Sequence, residues 1–271
     1  MRISPTVIAA IASVVTTGHA LGVAFASAAD LTAEEIMKRN FFVTKVASLS
    51  AEASMSLHSD NGGVRKRQMT VLSKLQDNGV DSRLVIRFGA PADIRGTTFM
   101  QVERSAADDD LWIYLPALKK SRRLVANNKK DSFVGSDFAY GDILPPRVEY
   151  YRHELVRSEG IDGHDFYVIK SVPKNEAVRH TSGYASKTTW IAKDSYLEGK
   201  VEYYDEGGRL LKTQTITDPQ LVDRERNRWL AGRREMVNHQ SAHRTVFTLT
   251  HIEVGKNLPE SAFTTRAIEK E

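Results

Sequence analysis

Two histidines four residues apart, His239 and His243, are the first candidates for chemistry, because on a helix that spacing sets two imidazoles side by side for a zinc ion. On a strand the same spacing separates them by roughly 13 Å, at ~3.3 Å per residue. The string Asn238-His239-Gln240-Ser241-Ala242-His243 has the composition of a polar hairpin turn, and that reading is preferred. His58, His153, His164, His180 and His251 stand singly, without metal-ligand spacing. Asp131, Asp137 and Asp142 are too irregular for a calcium loop, which alternates its oxygen donors around an obligatory glycine. Nucleophilic hydrolysis asks for a serine on a strained Gly-x-Ser-x-Gly elbow, and the nearest string, Gly135-Ser136-Asp137, lacks the second glycine. The chain has no cysteine, which removes thiol catalysis, disulfides and a lipid-modified N-terminal cysteine together. The expectation is a non-enzymatic protein with no catalytic residues, no metal and no cofactor.

The residues that stand out instead are apolar and aromatic. Phe99-Met100, Leu111-Trp112-Ile113-Tyr114-Leu115 and then Phe133, Phe138, Tyr140, Ile143 and Leu144 crowd the middle third of the chain. Any one of them is ordinary core. As a group they describe two adjacent strands apolar on both faces, followed by a greasy loop, and a strand buried on both sides needs cover on both sides. A curved sheet closed by a loop or helix supplies that cover and leaves room for a ligand. Phe99, Met100, Trp112, Tyr114, Phe133 and Phe138 are the candidate lining of such a hydrophobic cavity. The basic run Lys119-Lys120-Ser121-Arg122-Arg123, with Lys129-Lys130 beyond it, reads either as a solvated hairpin end or as a surface steering anionic head groups or an acidic partner.

The elements that must position these residues are mostly strands. The first 28 residues are read as a signal peptide: a basic start at Arg2, an apolar run from Val7 to Val15, and the small residues Ala26-Ser27-Ala28 before cleavage. Residues 29–271 then form a single domain, exported to the periplasm. Removing the leader takes away only Arg2 among the 38 basic and 34 acidic residues, so the mature balance is close to neutral and gives no footprint for nucleic acid. Thr32 and Glu35 have capping-box spacing, which predicts a short helix over about 32–39. From Leu49 the period becomes two: Leu49, Ala51, Ala53, Met55 and Leu57 alternate with polar residues. Asp60-Asn61-Gly62-Gly63, Asp77-Asn78-Gly79 and Asp205-Glu206-Gly207-Gly208 are hairpin turns. About a dozen strands joined by short turns predict an antiparallel meander. Residues 126–148 and 173–183 are the only long connections without a strong period, and such connections often act as lids or binding loops.

Leu111-Trp112-Ile113-Tyr114-Leu115-Pro116-Ala117-Leu118-Lys119-Lys120, continuing through Ser121-Arg122-Arg123-Leu124, and Gly135-Ser136-Asp137-Phe138-Ala139-Tyr140-Gly141-Asp142 carry a resemblance. Together with the ending Asn257-Leu258-Pro259-Glu260-Ser261-Ala262-Phe263-Thr264, they resemble the lipoprotein-carrier family of the bacterial periplasm, in its subgroup of outer-membrane lipoprotein-sorting proteins. The resemblance implies a mainly β fold, a strongly curved antiparallel sheet forming an incomplete β-barrel capped by short helices and loops. It also implies a carrier or chaperone that binds an acyl chain, lipid or lipoprotein, monomeric, and associated with an inner-membrane transporter of the resistance-nodulation-division kind. The chain departs from the sorting carrier in its long 126–148 segment and its extra C-terminal hairpin, so the cargo stays open among these. The alternative from another class is a periplasmic sensor or regulatory module that binds a partner protein. A carrier needs no precise polar constellation, because each buried methylene contributes about 0.8 kcal/mol. Residues 126–146 or the 31–40 helix are the expected lid over a loosely packed cavity.

Overall fold

The computed structural model describes residues 31–270; the leader expected at residues 1–28 lies outside them. Thirteen strands follow in order: β1 (Ser48–His58), β2 (Val64–Leu75), β3 (Ser82–Ala90), β4 (Thr98–Val102), β5 (Asp110–Leu115), β6 (Lys120–Leu124), β7 (Tyr151–Ile161), β8 (His164–Pro173), β9 (Ser186–Ala192), β10 (Glu198–Tyr204), β11 (Leu210–Asp223), β12 (Arg228–Asn238) and β13 (His243–Val254). Four short helices accompany them: α1 (Ala33–Val43), α2 (Tyr140–Ile143), α3 (Glu176–Ser182) and α4 (Thr265–Ile268). No helix among the described residues is long and apolar enough to cross a membrane.

All thirteen strands lie in one antiparallel sheet of order β6-β5-β4-β3-β2-β1-β13-β12-β11-β10-β9-β8-β7. Two meanders, β1 to β6 and β7 to β13, are joined at the centre where β1 pairs with β13, Met55 opposite Phe247. Register shifts interrupt several ladders, among them β1 with β13, β9 with β10, β11 with β12 and β7 with β8. Each such irregularity bends the bulged strand and adds to its right-handed twist. The sheet is therefore strongly curved, yet its edges β6 and β7 do not pair, so it is an incomplete barrel.

The period-two reading of β1 holds in detail: Leu49, Ala51, Ala53, Met55 and Leu57 are all buried on the concave side. Met69, Val71, Ile86, Phe88, Phe99 and Ile113 continue that apolar surface across β2 to β5. The convex side of β3 to β5 is covered as well. The chain leaves β13 and lays Phe263 and Ile268 over Val85, Met100 and Tyr114. Arg87 fastens this cover by donating to the carbonyl of Ala267 at 2.9 Å. The doubly apolar string Leu111–Leu115 thus has two covers, and the C-terminal segment is one of them.

At the other end of the described chain, Thr32 and Glu35 form the expected capping box, the Thr32 backbone N–H donating to Glu35 at 2.8 Å. The helix they start is longer than expected and reaches Val43. Ile36 and Met37 pack on Val148, Ile169 and Ile191, which seats α1 over one end of the hollow. The connection 173–183, read as lacking a period, contains α3. Its signals are local ones, Asn175 accepting from the Val178 N–H at 2.9 Å and Gly183 in the left-handed region at φ 74°, an N-cap and a C-terminal stop. His239 to Ala242 form the turn between β12 and β13, not a helix.

Candidate functional site: a cavity under the bridging segment

Because β6 and β7 are consecutive in the chain but lie at opposite edges of the sheet, the segment between them has to cross the open side of the barrel. Residues 125–150 make that crossing in a series of short turns around α2. Their first half plugs the hollow. Phe133, 0% exposed, sits against Phe88, Phe99 and Tyr140 with ring centroids 5.9, 5.7 and 5.3 Å away. Arg67 donates to the carbonyl of Val134, and the Asp137 carboxylate accepts from the Thr245 hydroxyl at 2.6 Å.

The second half spans rather than fills. Between residues 138–151, α1, α3 and the concave faces of β9 to β13, and reaching Met55 on β1 and Ile86 on β3, lies a cavity of 340 Å³, within the roughly 300–1,000 Å³ of small-molecule sites. Its walls are largely apolar: Met37, Met55, Ile86, Phe138, Ile143, Leu144, Leu197, Val201, Leu230, Phe247 and Leu249.

Polar side chains hold the span in place at both ends. Asp109 pairs with Arg147 and, at 3.6 Å, with Lys129. Asp142, whose side chain is wholly buried, accepts from the Tyr184 hydroxyl at 2.9 Å and from the Ala139 N–H at 2.8 Å, with the Lys212 ammonium 3.7 Å away. His153 reaches the Val148 carbonyl at 2.9 Å through Nε2 and the Ser171 hydroxyl at 2.8 Å through Nδ1. Since a carbonyl only accepts, Nε2 carries the proton and Nδ1 accepts from Ser171. Burial, its largest influence, pushes the His153 pKa down and keeps the ring neutral. Burial, reinforced by the nearby Asp142 charge, pushes the Tyr184 and Tyr203 phenols well above their ordinary range, so both remain hydrogen-bond donors.

Asp142 is thus the latch of the span. Replacing it with alanine leaves the buried Tyr184 hydroxyl without its acceptor, and the expected cost is about 1–3 kcal/mol. Hydrogen exchange should show the amides of residues 139–150 opening faster while those of β1 and β2 are unchanged. Exchange at wild-type rates across 139–150 would mean that the apolar contacts alone hold the span.

The six candidate lining residues fall into three groups. Phe138 lines the cavity. Phe99 and Phe133 lie together in the aromatic plug next to it. Met100, Trp112 and Tyr114 lie on the convex side, where Met100 and Tyr114 are buried with Phe263 and Ile268 and Trp112 packs at the margin. Sequence reasoning did not find the polar part of the wall, Asn40, Tyr184, Lys187, Glu198, Tyr203, Gln214 and Arg234. Polar residues in an alternating strand read as outward-facing. Here the alternation of β9 and β10 is weak, and no local signal separates Lys187 from the exposed lysines.

The same architecture occurs in solved structures. An outer membrane lipoprotein-sorting protein domain from Vibrio parahaemolyticus is 29% identical, with a TM-score of 0.80 over 88% of this chain and 98% of its own. A DUF1329 family protein from Desulfovibrio piger is 27% identical, with a TM-score of 0.79 over 87% of this chain and 97% of its own. A LolA superfamily protein from Nitrosomonas europaea, 22% identical with a TM-score of 0.67 over 87% and 99%, shares the fold. No curated protein matches the chain. Residues 80–270 match the model of a family described only as an uncharacterized protein; the chain belongs to that family and has the fold of the outer membrane lipoprotein-sorting domain.

Proposed function

We propose that this protein is a non-enzymatic carrier that shelters an acyl chain, as a free lipid or as part of a lipoprotein, in the cavity beneath residues 138–151. The observation that carries this reading is the uneven filling of the hollow. Aromatic side chains around Phe133 plug the end over β3 to β5, whereas the rest of the hollow, from Met55 and Ile86 across to β9 to β13, keeps 340 Å³ between largely apolar walls. A concave, largely apolar space of this size with a few polar groups in its wall has the character of a ligand site. Burying about a dozen methylenes there supplies roughly 10 kcal/mol before ordering costs, and no catalytic group is needed. The span with its Asp142 latch and α1 above it are the elements that move when cargo enters or leaves. The sorting-domain name of the Vibrio relative fits the same reading. The leader at residues 1–28 completes it: export to the periplasm, cleavage after Ala28, and one working domain over residues 29–271.

Native mass spectrometry of the freshly exported protein tests both parts. The expected spectrum shows a chain beginning at Ala29 and a population carrying lipid adducts that collisional activation removes. Only bare protein, together with no uptake of a neutral hydrophobic dye, would overturn the carrier reading.

A further inference from the structure

The polar residues of the cavity wall are unevenly matched in charge. Four side chains bring permanent positive charge to the lining, Lys129, Arg147, Lys187 and Arg234, and three bring carboxylates, Asp109, Asp142 and Glu198. Every one of those carboxylates is engaged: Asp109 by Arg147 and Lys129, Asp142 by Tyr184 and Lys212, Glu198 by Arg234 at 3.7 Å. Lys187 is the cation left over. Among the described residues no carboxylate lies within 4.0 Å of its ammonium.

Lys187 is held by rings instead. Its ammonium stands 5.1 Å from the ring centroids of Tyr184 and Tyr203 and 5.8 Å from that of Tyr151. The register explains the placement: Lys187 on β9 lies opposite Ser171 on β8 and Tyr203 on β10, in one row across the concave face. An aromatic cage attracts a cation through the ring quadrupole without neutralising it, so a full positive charge stays on the cavity wall. The wall holds a further polar group of the opposite kind, an acceptor. Gln214, 1% exposed, lines the cavity from β11, and its carboxamide oxygen has no hydrogen-bond partner. A buried acceptor without a partner costs free energy that only a bound hydrogen-bond donor would recover, so this oxygen is not a contact of an ionised head group. This wall is built to meet polar atoms as well as hydrocarbon.

We infer that the cavity selects anionic amphiphiles, with a carboxylate or phosphate head group received by Lys187 inside its three-tyrosine cage and the hydrocarbon tail against the apolar walls. The inference rests on the carrier reading and narrows it to a charge class. The Tyr203 ring, part of the cage and of the cavity lining, bears a phenol that burial keeps protonated and so able to donate to a bound head group. The tail then runs toward Val201, Leu230 and Phe247, away from the basic end of the span.

The test uses the full chain and displacement of a neutral fluorescent hydrocarbon dye by dodecanoate, dodecyl phosphate and dodecanol, which share one tail. At least one of the two anions is expected to bind about ten-fold more tightly than the alcohol, the size of a charge-assisted hydrogen bond. Whichever anion wins identifies the head group. Lys187→Gln should bring the anion down to the affinity of the alcohol, with an unchanged unfolding transition as proof of an intact fold, and Lys187→Arg should retain the preference. Equal binding of alcohol and anions by the wild-type chain would overturn the head-group inference and leave the carrier reading standing. So would an anion preference that survives Lys187→Gln. A chain that takes up neither dye nor any of the three ligands would refute the carrier reading itself.

Discussion

Replacing Glu103 with glutamine is expected to lower the free energy of unfolding by about 3–5 kcal/mol, the usual cost of leaving one member of a buried ion pair alone. The Glu103 and Lys45 side chains are 1% and 5% exposed. Glu103 accepts from the Lys45 ammonium and from the backbone N–H and hydroxyl of Ser82, at 2.8 and 2.7 Å. Lys45 follows α1 directly, so the pair ties the helix at the cavity to the edge of β3 and β4. Burial is the largest influence on Lys45 and outweighs the attraction of Glu103, which leaves its pKa below the ordinary lysine value. The pair therefore specifies a position more than it stabilises the fold. The double variant Lys45→Met with Glu103→Gln should cost clearly less than the two single changes added together, since glutamine still accepts from Ser82. Chemical denaturation of the four chains measures the coupling, and strictly additive losses would refute it.

The pair also has a pH signature. In the window between the lowered folded pKa of Lys45 and its ordinary value of 10.5, the unfolded chain holds a proton that the folded chain has released. Stability from this group therefore rises with pH through that window, and the desolvation cost is fully present below it. The double variant should lose this alkaline slope.

Phe133→Ala is the second large effect, about 3–5 kcal/mol for deleting a fully buried aromatic ring. Phe133 is the residue of the span that packs on Phe88, Phe99 and Tyr140 at once, so its loss detaches the plug from the concave wall. The plug and the cavity are different parts of the hollow, and this separates the effects of two neighbouring phenylalanines. Phe133→Ala should lower the unfolding midpoint and leave dye binding per folded molecule unchanged. Phe138→Ala, at the cavity wall, should weaken dye binding. Loss of binding by the Phe133 variant under conditions where it remains folded would make the plug part of the ligand site.

How far the molecule was legible beforehand depends on the range of the interaction concerned. The helix after Thr32, the hairpin turns and the apolar face of β1 follow from contacts within a few residues, and all of them are in the structure, the helix running on to Val43. The β12–β13 turn around His239 to His243 belongs with them. Even the demand for two covers over Leu111–Leu115 was visible, because a strand without a polar face cannot touch water on either side.

What the residues could not say alone is which of two faces is the inside. Period two separates two sets of side chains but is blind to the sign of the curvature, and that sign is set by twist and register shifts summed over thirteen strands. For that reason Met100, Trp112 and Tyr114 sit on the convex side under the C-terminal segment, while Phe99 and Phe133 share the hollow. The partnership of Lys45 with Glu103 and the row of Ser171, Lys187 and Tyr203 also join residues far apart in the chain, through ladders that exist only once the sheet has formed. The amino-acid sequence by itself determined most of the strands and their turns. Only the tertiary structure decided where the hollow stays empty and which charge is left facing it, because cavity and charge balance are properties of the assembled wall, not of any segment in it.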